Sequence, residues 1–250
     1  MGQELADPII GRAATGYMNF SYRPLFASSG PTADDIRQGQ VGDCYFLSVL
    51  SSVAEVDPWT IRQTVADLGD GTYAVHFRRG GRDTFIRVDA DLPTNAWGGL
   101  AYSNFGREGS LWVAVVEKAY AFLRTGAGSY ASLDQGWMDE SYNALGLAHR
   151  STWSFSSGEA LLELLERELK AGKSVTYAAG SPREDASLIG YHAYMVEEVM
   201  RNDSGAPVAV RLRNPWGTDG VGWDGINDGY VTLTAKQAHA SMLGVAVGTV

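Results

Sequence analysis

Gln38-Gly39-Gln40-Val41-Gly42-Asp43-Cys44-Tyr45-Phe46-Leu47 carries the one cysteine of the 250-residue chain. Beyond it Phe46, Val49, Leu50 and Val53 recur at helical spacing, and Gly42-Asp43 supplies a break and an N-cap candidate. The spacing predicts a helix that begins at the thiol. Unsatisfied N–H groups and the positive end of the macrodipole at such a helix start favour a thiolate, and they are one way to bring a cysteine pKa down to roughly 3.5–7.5. A solitary cysteine in an apolar run is more often a small core residue. What surrounds it in the rest of the chain decides between the two.

At 45% hydrophobic, the chain is long enough for one large domain or two lobes with substantial cores. A net charge of −9 with no basic run disfavours nucleic acid and anionic membrane as partners, because both select clustered Lys and Arg. A single cysteine excludes an internal disulfide, which fits a reducing, cytoplasmic setting and does not by itself exclude export without a signal peptide. Met1 to Asp7 is acidic and lacks the apolar core of a signal peptide, and no stretch approaches the roughly 18 apolar residues of a membrane span. Ala6 stands where a myristoylation motif needs Ser or Thr. The segment could equally be one domain of a longer chain.

Residues 1–37 lack sustained periodicity and read as an arm laid over the body through Tyr17, Phe20, Tyr22 and Phe26. A short helix is expected from Trp59 to Leu68. Tyr73 to Phe77 and Thr84 to Val88 alternate around Gly80-Gly81, a hairpin signal that turns His76 to solvent. Ser110 to Leu123 is helical in length and apolar nearly all round, with only Glu117 and Lys118 charged, so it belongs inside. From about residue 148 the texture changes: a helix capped by Ser156 with Glu159 and stopped by Gly172, then strands near 174–178, 193–199, 208–213, 229–233 and 245–250. Turn-rich connections make these an antiparallel sheet. The division is an arm (1–37), a helical lobe carrying Cys44 (38–147) and a sheet lobe (148–250).

A cysteine nucleophile needs a base, a group that orients the base, and donors for the oxyanion. Among four histidines, His192 is best placed, at a strand start just after Gly190, where backbone room lets a side chain be presented at a sheet edge. His76 reads as a strand-surface residue, His149 as a junction residue and His239 as part of a short exposed helix. Asn214 ends a strand in Asn214-Pro215-Trp216-Gly217; the proline fixes the turn, and the amide is free to accept from an imidazole N–H that Trp216 could shield. Gln38 could direct its NH2 at the oxyanion beside the Cys44 backbone N–H, with Gln40 as competitor. Each has a structural explanation on its own.

Taken together these residues resemble the papain-like clan, and in wording its calpain branch. Gln38 to Ser48 is similar to the calpain cysteine motif, Leu111-Trp112 with Val116-Glu117-Lys118-Ala119-Tyr120 to its Leu-Leu-Glu-Lys-Ala-Tyr pattern, Gly190 to Tyr194 to its histidine motif and Arg211 to Gly217 to its asparagine motif. The hairpin and Val88 to Pro93 also have calpain-like counterparts, so the likeness runs from about residue 30 to 235 in order. It implies an α+β, papain-like two-lobe fold with the cleft between a helical lobe and an antiparallel-sheet lobe. It also implies a cysteine endopeptidase in which Cys44 is the nucleophile, His192 the base and acid, Asn214 the orienter and Gln38 an oxyanion donor. Trp216, Tyr45 and Gly190 would support them, and protein or peptide would be the substrate.

Tyr45 replaces the family's tryptophan after the cysteine. Each core lobe of the animal enzymes binds calcium; Asp35 and Gly30 match the first-lobe site, but Ser110 stands where its glutamate belongs, with Glu108 only nearby. Gly222 precedes Trp223 where the second-lobe site has a carboxylate, although Asp219, Asp224 and Asp228 are close. Hard cations need several well-placed oxygens, so the expectation is of no required cofactor and no assigned metal ligand, with calcium left open and the lost ligands weighing against it. Control would then fall to pre-alignment of the lobes, or to an inhibitory or regulatory segment of a longer chain. The alternatives are a non-hydrolytic peptide-binding relative and a cysteine acyltransferase or transglutaminase-like enzyme. Cleft preference is assigned to the loops at 134–141 and 182–190.

Overall fold

The computed structural model describes residues 5–181, 187–221 and 225–250. The arm is not featureless: β1 (Gly16–Asn19) pairs antiparallel with a strand far along the chain, Asp91–Thr94. Phe20 and Phe26 pack on the body as expected, whereas Tyr22 is largely exposed beside Arg23. Helix α1 (Cys44–Val56) starts at the thiol. Asp57 then caps α2 (Pro58–Thr64), its side chain accepting from Trp59 N–H with proline at the first helical position. This helix is shorter than the spacing suggested. Val65–Asp67 leaves it as strand β2, because three β-ladder partners are available on β3 (Thr72–Arg79).

Strand β3 and β4 (Arg82–Asp89) form the expected hairpin, with Gly80 and Gly81 at φ 58° and 78° in the turn, a conformation only glycine adopts cheaply. Then β5 (Asp91–Thr94) receives β1, and α3 (Trp112–Leu123) runs through the centre of the first core. Both of its charges, Glu117 and Lys118, are fully buried. A two-turn helix α4 (Met138–Ala144) and strand β6 (Ala148–Thr152) follow; neither carries enough periodicity to be foreseen.

Helix α5 (Gly158–Lys170) is capped by Ser157, one residue beyond the Ser156 read from sequence, its hydroxyl accepting from Ala160 N–H. Gly172 ends it at φ 67°. Strands β7 (Ser174–Ala179), β8 (Ala193–Arg201), β9 (Pro207–Arg213) and β10 (Tyr230–Thr234) precede α6 (Ala235–Ser241) and β11 (Met242–Thr249). Together with β6 they make one antiparallel sheet in the order β10-β9-β8-β7-β11-β6. Helices α5 and α6 cover one face through a second core of Leu161, Leu162, Leu165 and Ala238. The other face receives α1. Small hydroxyls allow that approach: Ser52 Oγ donates to Val175 O at 3.2 Å and accepts from Val175 N–H at 2.8 Å. Among the described residues no helix is long and apolar enough to cross a membrane.

Lys118 ties the arm to the core. Its ammonium, with no exposed side-chain surface, reaches Asp7 Oδ1 at 2.5 Å, Asp89 Oδ1 at 2.6 Å and the Asp91 carbonyl at 2.7 Å. Removing one member of such a buried ion set leaves the others desolvated and unpaired. Lys118→Ala is therefore expected to lower the unfolding free energy by about 3–5 kcal/mol in urea titration, and a loss under about 1 kcal/mol would refute the buried network.

Candidate active site

The loop before α1 can lie where it does because residue 39 lacks a side chain: a Cβ there would sit 2.0 Å from the Tyr102 carbonyl. Gln40 N–H donates to Ala101 O at 2.9 Å, and Gly42 N–H to Asp134 Oδ1 at 3.0 Å, so the segment is pinned from both sides. Asp43 occupies the N-cap position, but its side chain does not cap. It turns inward, fully buried, and accepts from Gln38 Nε2 at 3.1 Å.

Across the cleft, Gly190 and Tyr191 (φ 52°) turn the chain into β8, and Tyr191 N–H is held by Gly180 O at 2.7 Å. His192 follows at 6% exposure. Its Nε2–H donates to Asn214 Oδ1 at 2.9 Å. The same oxygen accepts from Trp216 N–H at 3.0 Å while Asn214 Nδ2 donates to Asp219 O at 3.3 Å, which fixes the amide's orientation. The imidazole is held edge-on to Tyr194 at 5.0 Å and against Trp216 at 5.1 Å. With Nε2 protonated, Nδ1 is the basic nitrogen. Burial outweighs the Asn214 bond and lowers the His192 pKa to about 4, so the ring is neutral at physiological pH.

Cys44 and His192 line one cleft of about 940 Å³, together with Gln38, Trp137, Tyr191 and Trp216. The backbone N–H of Ala193, the residue after His192, stabilises the thiolate form and works against the effect of burial. Contrary to the lowered value expected at a helix tip, burial raises the thiol to about 11. Desolvation outweighs the helix field here. Gln38 lies in the cleft wall, but Nε2 donates to Val41 O at 2.6 Å and to Asp43 Oδ1 at 3.1 Å, so both amide hydrogens point away from an oxyanion. Tyr45 is buried in the first core, donating to Leu133 O at 3.1 Å under Arg124. Gly136 and Trp137 bring the 134–141 loop to the cleft. Of the 182–190 loop, 182–186 lie outside the described residues. Trp137, which lines the cleft, meets Trp153 of the sheet half edge-on at 5.2 Å.

The other histidines are elsewhere: His76 on Phe85 and Asp83, His149 under Tyr142, His239 on the Phe155 carbonyl. Both oxygens of Asp35 are engaged by donors. Its Oδ2 accepts from Thr32 N–H at 3.0 Å and Trp112 Nε1–H at 2.9 Å, its Oδ1 accepts from Arg107 N–H at 2.8 Å, and the Arg107 guanidinium stands 3.5 Å away. That guanidinium also donates to Ser29 Oγ at 2.9 Å and Gly30 O at 3.5 Å. Glu108 is turned to Ser28. Among the described residues no three metal-ligating acid, cysteine or histidine side chains converge; Gly222, Trp223 and Asp224 lie outside that set. Asp219 is instead a loop brace, Oδ1 accepting from Gly229 N–H at 2.8 Å. Sequence reasoning missed Ala193 N–H, Asp43 and Glu117; the apolar surroundings of Glu117 were the available signal.

The sequence profile described as calpain family cysteine protease matches residues 16–228. The chain is similar to the calpain-type cysteine protease DEK1 of Zea mays, 28% identical over 241 residues, covering 90% of this chain and 11% of that protein. It is 31% identical to calpain-9 of Mus musculus over 218 residues, covering 81% and 31% of the two chains. With the calpain-2 catalytic subunit of Gallus gallus the figures are 29%, 81% and 30%. The chain thus spans between about a tenth and a third of these relatives' length.

A raised thiol pKa has a direct readout. Iodoacetamide should label Cys44 more slowly at pH 7 than a free cysteine, with the rate climbing only on the alkaline side toward about 11. Rapid labelling near pH 6 would show a thiolate already present.

Proposed function

The chain belongs to the calpain family of cysteine proteases, and we propose that it is a cysteine endopeptidase acting on protein substrates through Cys44, His192 and Asn214. The observation that carries this reading is the His192 Nε2–H···Oδ1 Asn214 bond of 2.9 Å, in a cleft that also presents the only thiol. It leaves Nδ1 as the ring nitrogen free to take a proton. Both partners are neutral at rest, so the thiol proton passes to Nδ1 as sulfur attacks the scissile carbonyl. The imidazolium then carries positive charge on a ring whose other proton stays on Nε2, donated to Asn214 Oδ1. It returns the first proton to the leaving amine, and water activated by the same ring hydrolyses the thioester. The Cys44 backbone N–H, at the start of α1, is the fixed oxyanion donor. Gln38 joins it once its amide releases Val41 or Asp43.

No step requires calcium. A calcium site needs 6–8 oxygens, and at Asp35 a guanidinium already holds the carboxylate and the Gly30 carbonyl together. Alignment of the halves is supported by bonds between the strand before Asn214 and the loop before Cys44: Gln38 N–H to Pro215 O at 2.8 Å and Arg213 to Ile36 O at 3.3 Å. The longer relatives make further domains and regulatory segments part of this proposal.

Cys44→Ala should abolish cleavage of an unstructured protein, a loss of about 10⁴-fold or more in kcat, while Asn214→Ala should cost on the order of tenfold to a hundredfold. The acid limb of kcat/KM belongs to His192, which must be neutral to act; activity should persist below pH 6.5 and fall only as pH approaches about 4. Undiminished cleavage by Cys44→Ala would end the assignment, and peptide binding without cleavage by the native chain would make it a binding module. Adding millimolar calcium chloride should leave both activity and melting temperature unchanged; a rise in both would restore the ion to the mechanism.

A further inference from the structure

Behind Cys44, two acid side chains meet without a base. Asp43 and Glu117 are 0% and 1% exposed, and their carboxyl groups lie close enough to interact directly. A bond between two carboxyl groups needs a proton on one of them, since two carboxylates offer only acceptors. Among the described residues neither forms an ion pair with Lys, Arg or His. The groups that face the pair are Cys44 and Tyr45 on α1, Glu117's neighbour Tyr120 on α3, and Tyr102 and Tyr130 from the segments packed alongside. None supplies a compensating positive charge.

The donors decide where the proton sits. Glu117 receives Ser103 N–H at 3.1 Å on both oxygens and Ser103 Oγ–H at 2.5 Å on Oε1. Asp43 receives Gln38 Nε2–H on Oδ1, while its buried Oδ2 has no N–H or O–H donor. Hydrogen bonds to a carboxylate stabilise the charged form, so the charge belongs on Glu117 and the proton on Asp43 Oδ2, directed at Glu117. We propose that Asp43 and Glu117 share one proton and act as a positioning pair, holding Gln38 and the loop before Cys44 while keeping negative charge one carboxyl removed from the nucleophile. Burial, the largest influence on both groups, raises their pKa values in the same sense. When the last shared proton leaves, two adjacent carboxylates without a donor repel, and the Gln38 loop loses its anchor.

This inference rests on the protease reading only for its kinetic arm. Infrared difference spectra at neutral pH should show the carbonyl stretch of a protonated carboxyl group that is missing from Asp43→Asn and from Glu117→Gln. In Asp43→Asn the amide donates to Glu117 and accepts from Gln38, so kcat should stay within about threefold of the native value and the alkaline limb due to the pair should vanish. Asp43→Ala and Glu117→Ala should lose about tenfold to a hundredfold in kcat with KM little changed, the scale of a misplaced catalytic loop. The pair is refuted if the infrared band is absent from the native protein, or if Asp43→Asn is as impaired as Asp43→Ala. A native protein that cleaves nothing yet shows the band would instead refute the protease reading and leave the pair standing.

Discussion

One helix has to satisfy the first core and the large sheet at once. Helix α1 packs through Phe46, Val49 and Leu50 into the first core and through Ser51 and Ser52 against the sheet. Its axis is therefore fixed relative to β7 and β8, and the helix tip cannot drift from the strand that begins at His192. Hydroxyls on the sheet side let the backbones come close while satisfying strand groups, which bulkier apolar residues would not. The bond from Gln38 N–H to Pro215 O closes the same joint at its rim. The placement of Cys44 relative to His192 is a packing property before it is an electrostatic one.

Outside the Asp43 and Glu117 pair, the charges of Lys118, Asp35 and Arg124 are met by direct partners. Lys118 is matched by two aspartates, Asp35 by backbone donors and Arg107, and Arg124 by Glu140 and the Ser132 carbonyl. In the cleft, the Cys44 thiol and the His192 imidazole are both pushed toward their neutral forms by the same desolvation. A neutral pair is cheaper to bury than an ion pair, and it defers charge separation until a carbonyl is present to use it.

Much of this was legible from pattern. The Gly80-Gly81 hairpin, the apolar helix and the run of strands after residue 173 follow from local rules that tertiary packing did not override, while the Cys44, His192 and Asn214 motifs are legible only through their resemblance to calpain sequences. Short elements escaped. Strands β1, β2 and β6 and helix α4 are three to seven residues long, too short for periodicity to accumulate, and their existence depends on partners distant in sequence. The cap moved from Ser156 to Ser157 because either serine offers the same hydroxyl. The thiol's direction of shift was misjudged because the helix field can be read from position, whereas desolvation depends on what the rest of the chain lays over it. Asp43 was taken for a cap since nothing local says that Glu117 awaits it.

The indole pair of Trp137 and Trp153 joins elements from opposite sides of the cleft, with Gly244 leaving just enough room under the Trp153 ring. Such a pair is worth about 0.5–1.5 kcal/mol beyond its buried area. That is within a few multiples of thermal energy, so the contact is a reversible tie between the two halves and not a rigid clamp.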